Sequence, residues 1–166
     1  MNWYVLQVQM VHAKRLCNFL NKNPLVHAFV PMMEVYLLKE ERLDLRPLFS
    51  GYMFVWSDLD QIEFDCFLRG LAEGKKGLVR ELKESNVSAL REEEIDLLES
   101  ILDKDHIVRM SYGKQFGKQS IPYSGPLVKY SRNIKKVDFH RNLAFLDLHI
   151  FDREIGMGFL VKRENK

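Results

Sequence analysis

The sequence has few of the features that mark secreted, membrane-spanning or disulfide-linked proteins. Its 166 residues include only two cysteines, Cys17 and Cys66, and no apolar run approaches the roughly 18 residues that a membrane span needs. Residues 1–4 show neither a basic region nor a cleavage site, so we expect no secretory signal. Two thiols without a secretory context favour a reducing, cytoplasmic compartment, and they do not imply a disulfide.

Motifs for catalysis and for cofactor binding are also lacking. The five histidines are scattered, and none has metal-ligand spacing to another histidine or to a cysteine, so we expect no metal site. The Gly-Met-Gly segment at 156–158 lacks the third glycine of a dinucleotide-binding loop, and there is no P-loop and no nucleophile elbow. Cys66 lies among apolar residues, which indicates a buried structural thiol. We therefore expect a binding protein with no cofactor, and not an enzyme.

The net charge of +2 conceals an uneven distribution along the chain. Residues 1–105 contain 13 Lys and Arg against 18 Asp and Glu, whereas residues 106–166 contain 12 against 5. An acidic first part and a basic last third indicate two modules with different partners, and nucleic acid suits the basic one. Chance clustering of solvated charges explains the same numbers equally well.

The apolar pattern of the first part alternates between strand and helix periods. A capping box at Asp60 and Glu63 precedes one helix, and Gly74 is expected to end it. The order β-α-β-β-α-β with a final helix predicts a split βαβ antiparallel sheet. The strand patterns lie at 3–10, 28–38 (where Pro31 requires a bulge or an edge position), 51–56 and 78–82, and a hairpin loop is expected at 39–46. The helical stripes are Ala13-Leu16-Cys17-Leu20, Phe64-Phe67-Leu68-Leu71 and, after Arg91, Ile95-Leu98-Leu102.

The pattern changes after Asp105, where short β-rich runs separated by turn residues predict a small five-stranded barrel. We therefore expect an α+β protein with domains at 1–104 and 107–166. The five runs lie at 107–112, 119–123, 133–138, 143–150 and 156–162.

Two segments are candidate binding sites. Leu48-Phe49-Ser50-Gly51 is either an ordinary strand entry with Phe49 in the core or an apolar patch presented to a protein partner. The second candidate is the basic turn at 138–142 with the cations before it, which either grips phosphates and stacks a base or is simply a solvated loop.

At this point the chain resembles the NusG-type transcription elongation factors over nearly its full length. The likeness is strongest at Pro47–Val55, which resembles the family's Phe-Pro-Gly-Tyr segment. The order and spacing of the matching segments make the combination specific. The other segments are Trp3-Tyr4-Val5-Leu6, Phe29-Val30-Pro31, Glu34-Val35, Leu90–Ile95 and, in the part that resembles the KOW barrel, Ser124-Gly125-Pro126-Leu127, Ile134–Asp138 and Ile150-Phe151-Asp152-Arg153.

The resemblance implies a partner for each part. An N-terminal domain of this type binds the clamp helices of the largest RNA polymerase subunit, and Leu48, Phe49 and Tyr52 are the residues expected to do so. Arg15 on the first helix is expected to face DNA. The KOW barrel recruits a ribosomal protein or a termination factor in many members, and in specialised paralogues it contacts nucleic acid. The residues expected to contact nucleic acid there are Lys129, Arg132, Lys135, Lys136, His140 and Arg141.

Departures from the family pattern indicate a specialised paralogue. Ser50 stands where the family has proline, Lys129 replaces a KOW glycine, and Asp152 replaces the glycine of Phe-Gly-Arg. The Ser-Gly-Pro-Leu opening and the His140-Arg141 turn look most like the LoaP group of antiterminators. The expected function is regulation of pausing and termination, with antitermination as its direction. The alternative is a ribosome- or RNA-associated KOW-domain protein.

Overall fold

The computed structural model describes residues 1–163, which form two compact units that are each discontinuous in sequence. The first unit comprises Met1–Pro31 and Phe49–Ile95, and the second comprises Met32–Leu48 and the described chain from Asp96 onward. Within the described residues, three α-helices accompany four β-sheets, so the α+β class is confirmed. The units differ from the sequence-based domains in where they place 32–48 and 96–104, and the domain boundary at 104–107 stays a prediction.

The helices and strands alternate in the first two-thirds of the chain and give way to strands and short 3-10 helices afterwards. In chain order they are β1 (Asn2–Val8), α1 (Met10–Leu20), β2 (Val26–Phe29), β3 (Met32–Leu37), β4 (Arg42–Pro47), β5 (Tyr52–Ser57), α2 (Gln61–Arg69), β6 (Leu78–Glu81), β7 (Lys83–Glu84), β8 (Val87–Ser88), α3 (Glu92–Ile101), β9 (Ile107–Val108), β10 (Ser111–Phe116), β11 (Gln119–Ser124), β12 (Ile134–Asp138), β13 (Leu143–Ile150) and β14 (Arg153–Lys162), with 3-10 helices at Ala72–Lys75, Pro126–Val128 and Ser131–Asn133.

The first unit is built on a four-stranded sheet in the order β2-β5-β1-β6, in which every neighbouring pair is antiparallel. Because side chains alternate along a strand, Tyr4, Leu6 and Val8 of β1 share one face. This face forms a buried core with the apolar stripes of α1 and α2, in which Leu16 and Phe64 are fully buried. Burial of such side chains contributes about 1.5–3 kcal/mol each.

The start of α2 follows directly from two acidic residues. The Asp60 carboxylate accepts a hydrogen bond from the Glu63 N–H at 2.9 Å, and the Glu63 carboxylate accepts one from the Asp60 N–H at 2.8 Å. The predicted capping box is therefore confirmed. The predicted stop at Gly74 is wrong, because the helix ends at Arg69 with Gly70 as its C-cap and residue 74 lies in a 3-10 helix.

The second unit contains a curled five-stranded sheet in the order β11-β10-β14-β13-β12 and a three-stranded sheet in the order β4-β3-β9. Most neighbours are antiparallel, but β10 runs parallel to β14 and β3 runs parallel to β9. Leu127, Leu146 and Phe159 are buried in this unit. A methyl group on Gly158 of β14 would lie 2.3 Å from the carbonyl oxygen of Glu34 on β3, so only glycine permits this close approach.

Three predicted segments have a different secondary structure from the one expected. The single strand expected at 28–38 is two strands in different sheets, because Pro31 has no N–H to donate to a ladder. The loop expected at 39–46 is mostly strand β4, whose alternating Arg42, Asp44 and Arg46 form ion pairs at 3.6 and 3.4 Å. The strand expected at 107–112 is likewise split, since β9 and β10 pair in different sheets.

Candidate binding surfaces

The face of the first unit's sheet that lies opposite the core of α1 and α2 is rich in aromatic rings. The register pairs Trp56 of β5 with Trp3 on one side and with His27 on the other. In the same way Phe54 pairs with Phe29 of β2. We call these five side chains, Trp3, His27, Phe29, Phe54 and Trp56, the aromatic face.

The rings of the aromatic face pack against one another, and three of the five remain partly accessible. The His27 ring stacks on Trp56 with centroids 4.2 Å apart, and Trp3 meets Phe29 edge-on at 5.9 Å. Phe54 and Phe29 are buried, whereas Trp3, His27 and Trp56 are half-buried. Burial lowers the pKa of His27, so at neutral pH its ring is uncharged and stacks as a neutral aromatic.

The turn between Leu48 and Tyr52 buries Phe49 and leaves its other two large apolar residues half-buried. Phe49 is only 5% exposed, and its ring lies 6.1 Å from Phe54. Leu48 and Tyr52 are half-buried, and Ser50 is the exposed residue. The Tyr52 N–H donates to the Phe49 carbonyl at 3.2 Å, and a φ of +89° at Gly51 lets the chain make this turn. Of the two alternatives for this segment, the structure shows the strand entry with Phe49 in the core, where its ring packs near Phe54, and the polymerase contact of Leu48, Phe49 and Tyr52 stays a prediction.

Arg15 lies on the exposed side of α1. Its guanidinium Nη2 donates to the carbonyl oxygen of Lys76 at 2.7 Å, which joins the helix to the loop before β6. Lys14 and Lys76 are also exposed. The DNA contact expected of Arg15 stays a prediction.

The second unit has a groove between its two sheet-edge strands, β11 and β12. Its volume is about 710 Å³. Within the described part of the chain, the residues that line it include four cations and no carboxylate. We call this feature the basic groove, and it is lined by Lys118, Gln119, Ser120, Ile121, Pro122, Ser131, Arg132, Ile134, Lys135, Lys136, Val137 and Phe139.

The structure thus brings together Arg132, Lys135 and Lys136 of the predicted nucleic-acid contacts. Lys135 has one acidic neighbour, since its Nζ lies 3.7 Å from a Glu154 carboxylate oxygen. Phe139 also lines the groove, and the guanidinium of Arg163 lies 4.0 Å from the centre of its ring. A phosphate backbone in the groove would therefore meet several cations in a short distance.

The remaining predicted contacts of this unit lie outside the basic groove. Lys129 follows the 3-10 helix at Pro126–Val128, and its Nζ lies 5.7 Å from the centre of the Tyr130 ring. Arg141 is held by Asp138 at 2.8 Å, and its guanidinium lies over Phe145 at 5.5 Å. The Asp138 carboxylate also accepts from the backbone N–H groups of His140 and Arg141, which lowers its pKa. The tip of this turn therefore carries a partly neutralised charge.

The two thiols of the first unit have different surroundings. The Cys17 thiol donates to the Ala28 carbonyl at 3.0 Å, and burial raises its pKa. Cys66 is exposed, so the expectation of a buried thiol is wrong. It stands two residues after Phe64, and a helix turns such a position away from the buried stripe.

The Glu81 carboxylate of the first unit has hydrogen-bond and ion-pair partners. Burial raises the pKa of Glu81, while Gln61 donates to both of its oxygens at 3.1 Å. Lys83 lies 3.5 Å from Glu81 and 2.6 Å from Asp65. In residues 1–163, no group of three His, Cys, Asp or Glu side chains could hold a metal ion. The described part of the chain likewise has no helix of the length and apolarity needed to cross a membrane.

Sequence reasoning missed residues on both surfaces. Trp3 and Trp56 belong to strands that were predicted, and the period-2 alternation within those strands could have placed both rings on one face. Lys118 borders the basic groove beside Lys135. No local signal connects residues 118 and 135, because a curled sheet brings them together.

A split βαβ sheet in the first unit and a small curled β-sheet in the second are consistent with an NGN domain followed by a KOW domain, the architecture of transcription elongation factors. A family model described as "Transcription termination factor nusG" matches residues 1–99, and the chain belongs to this family. Membership implies a factor of transcription elongation and termination that binds RNA polymerase, and factors of this family are not enzymes. No curated protein matches the chain.

Proposed function

We propose that this protein is a specialised NusG-type regulator that binds RNA polymerase and acts as an antiterminator, most like the LoaP group. The observation that carries the proposal is the basic groove. The family match ends at residue 99, and the groove lies beyond it, with four cations and no carboxylate among its described lining residues. A cationic groove of this kind suits a nucleic-acid signal that recruits the factor to its target.

The polymerase contact is proposed to use the aromatic face together with Tyr52, and Leu48 of the second unit is proposed as a separate contact. Aromatic side chains dominate the binding energy of many protein interfaces because they bury large areas with little loss of conformational freedom. The clamp helices of the largest polymerase subunit are the proposed partner. Phe49 is proposed to act indirectly, by holding Tyr52 in position. The Tyr52 N–H donates to the carbonyl oxygen of Phe49, which closes the turn that contains both residues.

The nucleic-acid contact is proposed to centre on Arg132, Lys135 and Lys136. Lysine and arginine bind phosphate without reading sequence, so these residues supply affinity and position. Lys129, His140 and Arg141 are proposed as additional contacts on the same unit, and Arg15 is proposed to approach DNA from the first unit. The KOW part, proposed to span 107–166, is also a candidate site for a ribosomal protein or a termination factor.

Transcription in vitro through an intrinsic terminator, with and without the protein, tests the proposal. We expect more readthrough when the protein is present on a template that carries its recruiting element. The double variant K135E/K136E should lose this effect, because two groove cations become anions. The matched control is K39E/K104E, which makes the same charge change at two exposed positions of the same unit.

Two results would contradict the proposal. If the protein increases termination, antitermination is the wrong direction. If both double variants act like the unmodified protein, the groove has no part in the effect. Co-purification with RNA polymerase separates the proposal from a ribosome- or RNA-associated KOW-domain protein, which would not be retained by the polymerase.

A further inference from the structure

The outer side of the β10–β11 hairpin exposes several large apolar side chains in the second unit. Tyr123 is 60% exposed, Phe116 56%, Ile121 43% and Tyr112 37%. Their neighbours Ser111, Gly113 and Pro122 are buried, as expected when alternate residues of a strand leave the core. An exposed apolar patch of this kind marks a binding surface more often than chance placement.

Lysines interleave with these rings on the same face. Lys114 lies directly opposite Ile121 of β11 and opposite Lys162 of β14 in the sheet register. Both lysines are exposed. We call Tyr112, Lys114, Phe116, Ile121 and Tyr123 the outer hairpin face.

The outer hairpin face is continuous with the basic groove. Ile121 belongs to both, and Lys118 in the turn between β10 and β11 also lines the groove. Alternate residues of a strand are about 7 Å apart, so Tyr112 and Phe116 lie about 14 Å apart along β10. A flexible strand of nucleotides could therefore place its phosphates in the groove and its bases on successive side chains of the hairpin.

We propose that this combined surface binds single-stranded RNA by stacking unpaired bases on Tyr112, Phe116 and Tyr123. Aromatic side chains beside lysines are the arrangement that single-strand binders use, because each base has a face for stacking and each phosphate needs a cation. A paired stem hides the faces of its bases, so it would use the groove alone. The inference rests on the proposed nucleic-acid role of the second unit and adds the class of ligand.

RNA is favoured over DNA by the polar groups of the groove. Gln119, Ser120 and Ser131 line it beside the cations. Their amide and hydroxyl groups can donate to, and accept from, the ribose 2′-OH, which DNA lacks.

The test uses the full chain and fluorescence anisotropy with an unstructured RNA of about 12 nucleotides, a size within the range for small barrel domains. Tyr123→Ala should weaken binding roughly 5- to 150-fold, the range measured for loss of one stacked base. Tyr123→Phe should bind like the unmodified protein, because the ring is kept. Leu45→Ala is the matched control, since Leu45 is also exposed in the second unit, at 44%.

Salt dependence separates stacking from phosphate contacts. Tyr123→Ala should leave the slope of log affinity against log salt unchanged, whereas Lys136→Ala should reduce its magnitude by about 0.7. A blunt-ended RNA duplex, which has no unpaired bases, should respond to Lys136→Ala but not to Tyr123→Ala.

The possible failures are distinguishable. If the RNA duplex binds and the unstructured RNA does not, the stacking surface is refuted while the nucleic-acid role of the groove stands. If neither binds, both proposals fail. Equal affinity for single-stranded DNA of the same sequence would overturn the assignment to RNA, and an unchanged affinity of Tyr123→Ala would overturn the stacking.

Discussion

Replacing Phe49 with alanine should destabilise the first unit strongly. The side chain is only 5% exposed, and its ring lies 6.1 Å from that of Phe54, which is fully buried. Truncation of a buried phenylalanine removes apolar burial and leaves a cavity, at a cost of about 3–5 kcal/mol. A protein of this size is stable by only about 5–15 kcal/mol, so the variant should retain a folded first unit with little margin.

Urea unfolding followed by tryptophan emission measures this effect in the correct unit. The chain has two tryptophans, Trp3 and Trp56, and both lie on the four-stranded sheet of the first unit. Ile62→Ala is the control, because Ile62 lies on α2 of the same unit and is 75% exposed. We expect this control to change the free energy of unfolding by no more than about 0.5 kcal/mol.

Three variants distinguish a buried, stabilising role of Phe49 from direct contact between Phe49 and the polymerase. If Phe49 supports the turn from inside, Phe49→Leu should keep most of the polymerase affinity, because it retains an apolar side chain in the core. Tyr52→Ala should weaken polymerase binding by a different route, since Tyr52 is half-buried at the surface. A Phe49→Ala protein of unchanged stability that no longer binds polymerase would refute this reasoning and restore the exposed anchor.

Two further predictions concern the first unit and use the same tryptophan signal. Asp60→Ala should lower the free energy of unfolding by about 1 kcal/mol, because the Glu63 N–H loses its acceptor. The control Asp58→Ala should lower it by less than half of that. Equal losses in the two variants would argue against a stabilising capping box. The second prediction is a pH dependence. Burial lowers the pKa of His27 from its ordinary 6.5, so the folded state binds fewer protons than the unfolded state, and stability should fall as the pH drops below 6.5 and level off once the folded-state pKa is passed. His27→Phe should remove this part of the dependence in unfolding curves recorded between about pH 5 and pH 8, and an unchanged curve would show that His27 does not cause it.

Where the physical cause is local, the sequence predicted the structure well. Strand β13 spans the residues expected for it, Leu143–Ile150, because alternating apolar side chains and a turn before it are sufficient signals. The capping box of α2 depends on only two residues three positions apart. The overall class followed from the order of these local patterns.

Where the structure depends on residues distant in sequence, strand pairing and side-chain burial could not be predicted from the sequence. Pro31 was correctly recognised as a disturbance, but only the fold shows that the strands on its two sides belong to different sheets. Phe49 was compatible with burial and with exposure, and its packing on Phe54 decided between them. Glu94 lies at the start of α3 directly after the exposed Glu92 and Glu93, yet it is 5% exposed and its carboxylate accepts from the Arg91 N–H at 2.8 Å.

In the candidate surfaces, too, residues close in sequence were predicted together, whereas residues that only the fold brings together were not. Arg132, Lys135 and Lys136 are close in sequence and were found together, whereas Lys118 joins them only across the groove. The outer hairpin face was not predicted, because apolar alternation in a strand does not say which of its two faces a second layer will cover.

The discontinuity of the two units constrains how such a factor can diversify. The chain passes from one unit to the other after Pro31, after Leu48 and again after Ile95. A single recombination event near residue 96 would therefore transfer a second unit without β3 and β4, and Gly158 would lose the backbone that it was fitted to approach. We expect that a transferred second unit would keep this close packing only if the segment 32–48 moved with it.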